Sequence, residues 1–524
     1  MNRERALDRA RSGETFDILI VGGGATGLGA AVDAAARGHS VCLIEQADFA
    51  SGTSSRSTKL IHGGVRYLRQ GQISLVLGAL RERERLRRNA PHLVCSVPFV
   101  IPAYRRWQRP YYGIGLKLYE EMGGEDGFEA SQILSRRELV EILPTIERQG
   151  LKGGVLYHDG QFDDARLAIS LAQTAADHGA VMLNRVRCVG LQREGGRTTG
   201  VLARDLEDGE ELEIAARSVI NATGPFADSV RRQDDASAPP LITPSQGVHV
   251  VLPREFLPGD HAMLIPRTDD GRVIFAVPWH GRVVAGTTDT PVDAPSLEPR
   301  AFQEEFDFLL LHLARYLSCD PRPEDVLSVF AGLRPLVKGS SGAKTAALSR
   351  DHLITVSDSR LITIVGGKWT TYRKMAEDVI DRAEQVGELP QRVCPTAELA
   401  LHGARDGPSS ISREIDAYGS DAEKIAQLIA DDAGLAEFID RRLDLQRAEV
   451  VWFVRGEMAR TVDDVLSRRC RGLILNAAAA IESAPAVAEI MARELGWSAE
   501  RQQSEVEEFT AIASGYLASS YAAG

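Results

Sequence analysis

The chain has 524 residues, a formal net charge of −12, and 44% hydrophobic against 26% charged residues, an ordinary soluble globular composition with room for two or three cores. The acidic balance argues against a general nucleic-acid binder, which carries a basic surplus, and the six cysteines have neither C-x-x-C nor metal-ligand spacing, so no metal site and no disulfide framework are expected. The N-terminal stretch lacks the apolar core of a secretory signal, and no run approaches 18 uncharged apolar residues, so a transmembrane helix is not expected.

In chain order, the apolar stretch 16–21 reads as a strand and runs directly into Gly22-Gly23-Gly24-Ala25-Thr26-Gly27, followed by an alanine-rich helix over 28–37, a turn at 38–39 and a second strand over 41–44. Strand, G-x-G-x-x-G and helix together form a dinucleotide-binding fingerprint. Gly22 permits the tight turn, Gly24 lets the backbone approach a pyrophosphate, and Gly27 lets the helix lie close to the sheet. Unpaired N–H groups and the helix dipole at that terminus favour phosphate. Glu45 ends the second strand, where an acid holds an unphosphorylated ribose, which selects FAD or NAD over NADP.

A hydroxyl-rich loop follows at 51–59, then 60–68, then a charged helix over 74–90 stopped by Pro91. The βα pattern resumes at about 155, with a helix over 165–178, strands over 181–191 and 201–206, and a strand that ends in Asn221-Ala222-Thr223-Gly224. Residues 241–290 alternate short β-type runs (248–252, 262–266, 273–277, 283–286) with turns, the pattern of an antiparallel sheet. A last strand, 361–365, ends in Gly366-Gly367-Lys368 and opens a helix over 370–386; beyond Cys394-Pro395 the segments are long, amphipathic and helical. Three glycine turns at strand ends suit one elongated ligand, FAD, and no second fingerprint offers a separate nicotinamide site. The expected fold is α/β: a discontinuous Rossmann-like FAD-binding domain (14–90, 155–235, 345–390), a substrate-binding domain on an antiparallel β-sheet (91–154, 236–344) and an α-helical C-terminal domain (391–524).

The strings VGGGATGLGAAVDAAARG (21–38), TSSRSTKLIHGGVRYL (53–68), DDARL (163–167), NATGPFAD (221–228), GVHVVLP (247–253), GTTDTP (286–291), AGLRPL (331–336), SRDH (349–352) and GGKWTTYRKMAED (366–378) go beyond a generic flavin fold. Through them the chain resembles the FAD-dependent, membrane-associated, respiratory glycerol-3-phosphate dehydrogenases. They cover most of 15–380 in the expected order, and 459–471 resembles the family's helical tail.

The resemblance implies oxidation of glycerol 3-phosphate to dihydroxyacetone phosphate, with electrons passed to a quinone. A dianionic phosphate calls for guanidinium forks, and Arg66, Arg334 and Arg350 stand at matched positions, with Tyr67 to orient the substrate. Proton removal needs a base, and His249 is the candidate. Lys368 fits either the flavin N1–C2 edge, where a cation stabilises reduced flavin, or the substrate. His62 is expected near the isoalloxazine or ribityl chain. The implied cofactor contacts are Gly22, Gly24, Gly27, Glu45, Thr53, Ser54, Ser57, Thr223, Gly224, Gly367 and Thr371.

Segment 104–117 interleaves arginines with Trp107, Tyr111 and Tyr112, which suits an anionic lipid surface as well as it suits a solvated domain edge. A cytoplasmic enzyme held peripherally on the inner face of the cell membrane is the implied location. No calcium-loop pattern is present in the sequence. An oxidase that passes electrons to dioxygen shares every motif above; an amine or amino-acid oxidase leaves the cationic set unexplained. Homodimer formation and the role of the C-terminal part stay open.

Overall fold

A computed structural model describes residues 1–64, 73–123, 129–338, 352–405 and 413–521. Among the described residues two large sheets share the molecule. The first has eight strands. Its spine runs His352–Val356, Ile362–Gly366, Glu211–Asn221, Phe16–Val21, Val41–Ile44 and Val181–Leu183, parallel except for the first pair. Helices Ala25–Ala36 and Asp164–Asp177 cover one face, with Tyr372–Val386 beside them. Burial on both faces explains why Val41–Ile44 is uniformly apolar and Phe16–Val21 is apolar apart from the half-buried Asp17. A meander of Val186–Glu194 and Arg197–Asp205 continues from Glu211–Asn221. The single strand expected over 181–191 is two, separated at Asn184-Arg185, where Arg185 takes a left-handed φ of 60°.

The second sheet has ten strands and is antiparallel apart from the pairing of Val94–Ala103 with Ala262–Ile265. Its centre is the long ribbon of Ile242–Pro253 and Ser328–Val337, flanked by Arg282–Gly286 and Ile274–Trp279. Gly153–Phe162 lies in this sheet, paired along its length with Val94–Ala103, so the expected change of segment at 155 falls inside one of its strands. Leu60–Ile61 pairs on the outer side of that strand.

The last quarter is helical: Ala422–Asp431, Arg447–Glu457, Ala477–Leu495 and Ala499–Ser514, with a π-helical turn at Asp464–Arg469. Its core includes Val251, Trp279, Val284 and Phe330 of the second sheet, so it is packed on that sheet rather than tethered beside it. An N-terminal helix Arg3–Arg11, absent from the sequence-based expectations, joins through Leu7 and Ala10 and through the Arg3–Asp205 ion pair. No helix among the described residues is long and apolar enough to cross a membrane.

Candidate active site

The parallel strands Phe16–Val21, Val41–Ile44, Glu211–Asn221 and Ile362–Gly366 all point their C-terminal ends at one edge, the place where open α/β sheets bind ligands. A cleft of about 500 Å³ lies there. Its wall includes Gly22, Gly24, Glu45, Thr53, Ser54, Thr223, Gly224, Gly367 and Lys368, all expected from the sequence. The turn is built as the fingerprint requires. Gly22 has a φ of +114°, and a Cβ there would stand 2.6 Å from the Ala222 carbonyl oxygen. A Cβ on Gly27 would overlap the Gly22 carbonyl oxygen, so Gly27 acts by letting the helix close on the turn and does not line the cleft.

Glu45 projects into the cleft with its carboxylate already accepting from Gly23 N at 2.7 Å and Ala47 N at 2.9 Å. Burial pushes its carboxyl above the usual range, and those two N–H donors oppose the shift. Ser54 Oγ accepts from Ala25 N at 2.9 Å, at a helix start that has no side-chain cap of its own. A helix N-terminus without a cap from its own N-cap residue, a close glycine turn and a half-buried ribose-side acid fit the adenosine diphosphate half of FAD.

A second cavity of about 220 Å³ continues from the first, and the two share Thr53, Arg56, Leu333, Gly367, Lys368 and Trp369. It is lined by Ser57, Thr58, His62, His249 and Arg334. His249 is 2% exposed and stacks on Phe330, with ring centroids 4.8 Å apart and planes 10° apart. Its Nε2 meets Thr58 Oγ1 at 2.9 Å. Burial, then Lys59, then Arg334 hold the imidazole well below its ordinary value, so it is neutral at neutral pH.

Glycines make room for both functional side chains. Gly286 pairs with His249 across the strands, and a Cβ there would lie 2.7 Å from the imidazole Cγ. Gly247 does the same for the Arg334 guanidinium, whose Nη1 would be 2.7 Å from such a Cβ. Arg334 donates to the Thr288 carbonyl oxygen at 3.1 Å and to Thr287 Oγ1 at 3.1 Å, with Asp289 at 3.4 Å, which fixes the fork against the strand ends.

His62 lines the smaller cavity, edge-on to Phe275. Lys368 stands where the two cavities meet, and Trp369 Nε1 donates to the Ser54 carbonyl oxygen at 2.9 Å, tying this turn to the 53–55 loop. Four expected hydroxyl contacts are directed at other protein groups. Ser57 Oγ donates to Asp164 at 2.7 Å, and Thr371 Oγ1 donates to the Lys368 carbonyl oxygen at 3.3 Å without lining either cavity. Thr53 Oγ1 donates to the Leu333 carbonyl oxygen and Thr223 Oγ1 to Asn221. Arg66, Tyr67 and Arg350 lie outside the described residues.

Sequence reasoning missed Arg56 and the group behind His249. Arg56 lines both cavities while pairing with Glu298 at 2.6 Å, and Tyr516 of the helical quarter donates to the same carboxylate. Lys59, Asp164 and Arg471 form a buried ion cluster against the 55–59 loop. One signal was available in the sequence. Two acids stand together at 163–164: Asp163 accepts from Ala165 N and Arg166 N at the start of the helix Asp164–Asp177, and Asp164, whose Oδ1 shares Ala165 N, turns its Oδ2 to Lys59 and Ser57.

The family described as FAD dependent oxidoreductase matches residues 17–373, and the C-terminal domain of alpha-glycerophosphate oxidase matches 359–502. The chain is 42% identical over 544 residues to the mitochondrial glycerol-3-phosphate dehydrogenase of Rattus norvegicus, covering 97% of this chain and 74% of the relative. Against the Homo sapiens enzyme of that name it is 41% identical over 540 residues, with the same coverage. Among solved structures, the glycerol-3-phosphate dehydrogenase of Bacillus halodurans complexed with FAD superposes with a TM-score of 0.81 at 29% identity, over 98% of this chain and 97% of that one. The L-alpha-glycerophosphate oxidase of Mycoplasma pneumoniae shares the fold, with a TM-score of 0.55 at 18% identity over 74% of this chain and 98% of that one. A cleft shaped for FAD, and family likeness that runs through both the flavin-binding and the helical parts, make this chain an FAD-dependent oxidoreductase of the glycerol-3-phosphate dehydrogenase family.

Proposed function

We propose that the enzyme oxidises the secondary alcohol of sn-glycerol 3-phosphate to dihydroxyacetone phosphate and passes the two electrons to a respiratory quinone. The observation that carries this reading is the buried, neutral His249 in a small cavity with Arg334 and Lys368, open to the FAD cleft. FAD, when bound, supplies the acceptor for the hydride that leaves C2. Nε2 of His249 is the nitrogen that already meets a hydroxyl on the cavity wall, and it takes the alcohol proton as the C–O bond becomes a carbonyl. Arg334 supplies fixed positive charge for the phosphate, joined in this reading by Arg66 and Arg350, with Tyr67 orienting the substrate. Lys368, where the two cavities meet, would place a cation beside bound FAD and so favour its acceptance of negative charge. Gly22, Gly24, Glu45, Thr53, Ser54, Thr223, Gly224 and Gly367 would hold the cofactor, Gly27 keeps its turn closed, and His62, in the smaller cavity, would lie toward the flavin end.

The test is anaerobic addition of sn-glycerol 3-phosphate to purified holoenzyme. Bleaching of the flavin bands, quick recovery with a soluble quinone and slow recovery with oxygen are the expected outcome. Absence of bleaching overturns the substrate. Fast recovery with oxygen and peroxide release supports the oxidase reading instead, which the match of 359–502 to an oxidase's C-terminal domain favours.

Delivery to a quinone requires a bilayer contact, and helix Gln108–Gly123 has the chemistry for one. Trp107, Tyr111, Ile114 and Leu118 form one exposed stripe at helical spacing, 55%, 49%, 74% and 50% accessible, with exposed Arg105, Arg106 and Lys117 alongside. We assign this face to the anionic inner leaflet of the cell membrane. Cosedimentation with vesicles containing anionic lipid, weakened by I114S and by salt, is expected; equal binding to neutral vesicles, or none to either, refutes the assignment.

A further inference from the structure

Behind His249 lies a charge cluster that the proposed reaction does not use. Lys59 is fully buried, and its ammonium donates to Asp164 Oδ2 and to the Ser55 carbonyl oxygen, both at 2.7 Å. It also stands 5.3 Å from the ring centroid of Phe330, the ring on which His249 stacks, and 5.3 Å from that of Trp279. Asp164 gathers the loop around this point. Its Oδ2 also accepts from Ser57 N and Ser57 Oγ, and its Oδ1 accepts from Arg471 at 2.9 Å. Arg471 reaches the same Ser55 carbonyl oxygen at 2.7 Å. The fastened segment, 55–59, contains Thr58, the hydroxyl that meets His249 Nε2.

We propose that Lys59 is a positioning residue for His249: clamped by Asp164 and Ser55, it holds the loop that presents Thr58 to the imidazole and directs a buried positive charge at the Phe330–His249 stack. The inference rests on the proposed function only in taking His249 as the proton acceptor. A base that stayed protonated after one turnover would block the next, and a fixed cation behind the ring opposes protonation electrostatically.

The charges that face the imidazole are Lys59 from the loop and Arg334 from the neighbouring strand; Asp164, Asp163 and Arg471 stand behind Lys59. Burial lowers Lys59 to about 7, against the pull of Asp164. His249 lies lower still, below the ordinary histidine range, so as pH falls Lys59 gains its charge before the imidazole is protonated, and near pH 7 about half of the molecules carry it.

The experiment is an NMR titration of ring-13C-histidine holoenzyme, with the His249 signal assigned by its loss in H249N. In the wild type this signal is expected to stay neutral well below the ordinary histidine range, and in K59M to titrate about one pH unit higher, roughly tenfold in proton affinity. K59R, which keeps the charge, is expected to follow the wild type. The acid limb of kcat/KM should move with the NMR midpoint. If His249 titrates alike in wild type and K59M, the proposal is overturned. A shifted midpoint in an enzyme whose flavin glycerol 3-phosphate does not bleach supports the role of Lys59 and overturns the substrate instead. If K59M loses its fold, K59Q carries the same comparison, since it keeps a donor to Ser55 and drops the charge; a K59Q that titrates like wild type overturns the proposal.

Discussion

Gly286→Ala tests whether the position of His249, and not merely its presence, controls turnover. A methyl at 286 would stand 2.7 Å from the imidazole Cγ and 2.9 Å from Nε2, against the ~3.5–4.0 Å at which carbon atoms ordinarily meet. The Cδ2 atom would stand nearer still, so the ring must withdraw by at least about 1 Å. It has little freedom to do so, because Phe330 stacks on it at 4.8 Å and Thr58 meets Nε2 at 2.9 Å. A shift of that size stretches the Thr58 contact to roughly 3.9 Å, no longer a hydrogen bond. Misplacing a catalytic group by 1 Å costs about 100-fold in rate, or about 2.7 kcal/mol of activation free energy. Overpacking a finished core adds a stability loss of about 1–3 kcal/mol. Gly286 lines neither cavity, so flavin content should be unchanged. The assay is flavin reduction by sn-glycerol 3-phosphate in stopped flow, with FAD occupancy from the protein-to-flavin absorbance ratio. A G286A enzyme with full flavin and a reduction rate within threefold of wild type (about 0.65 kcal/mol) would refute the reasoning.

Gly27→Ala is expected to act on the cofactor instead, because its Cβ meets the Gly22 carbonyl oxygen and neither partner is a movable side chain. Purified G27A should lose most of its flavin and about 1–3 kcal/mol of stability, read by absorbance and denaturant titration; retention of both would sink the packing argument. His402, between Asp177 at 2.5 Å and Asp421 at 3.0 Å, is held up at about 9 by those two carboxylates. Its folded value exceeds the ~6.5 of an unfolded chain, so its stabilising contribution is complete below pH ~6.5 and is lost as pH rises toward 9. The melting temperature of H402Q minus that of the wild type should therefore narrow across that window, and a constant difference would contradict it. Lastly, E45Q keeps the shape of the ribose-side acid but replaces one acceptor with an amide donor, which the two N–H groups at Gly23 and Ala47 oppose. Its FAD affinity, measured by fluorescence on reconstitution, should fall by more than tenfold, and unchanged affinity would remove Glu45 from the cofactor site.

What was legible in the sequence follows how local the physics is. The Gly22–Gly27 turn, Glu45 and the strands beside them lie within thirty residues and carry their own signature of period, glycine spacing and acid. His249 and Arg334 carry no such local mark; as isolated residues on alternating strands they were found through resemblance, and only the structure shows them laid over Gly247 and Gly286. Ser57 was read as a cofactor hydroxyl because the loop is rich in hydroxyls, yet it serves Asp164, a partner 107 residues away. Lys59 and Arg471 were invisible for the same reason: their chemistry depends on an acid 105 and 307 residues distant. The break at Asn184-Arg185 escaped because β-type residues continue on both sides of it and only the pairing partner changes.

The arginines of the π-helical turn have a consequence for biogenesis. Arg468 and Arg469 reach back across 420 and 421 residues to Asp48, which follows Glu45 closely in the chain and is fully buried. At ~5–20 residues per second on the ribosome, Asp48 emerges roughly 20–80 s before its counter-charges exist. In that interval the nascent nucleotide-binding half holds acids with no guanidinium to meet them, so its loops stay hydrated and open. Flavin capture therefore belongs to the end of synthesis, and truncations before residue 468 should yield colourless chains even though every cofactor-facing residue has been made.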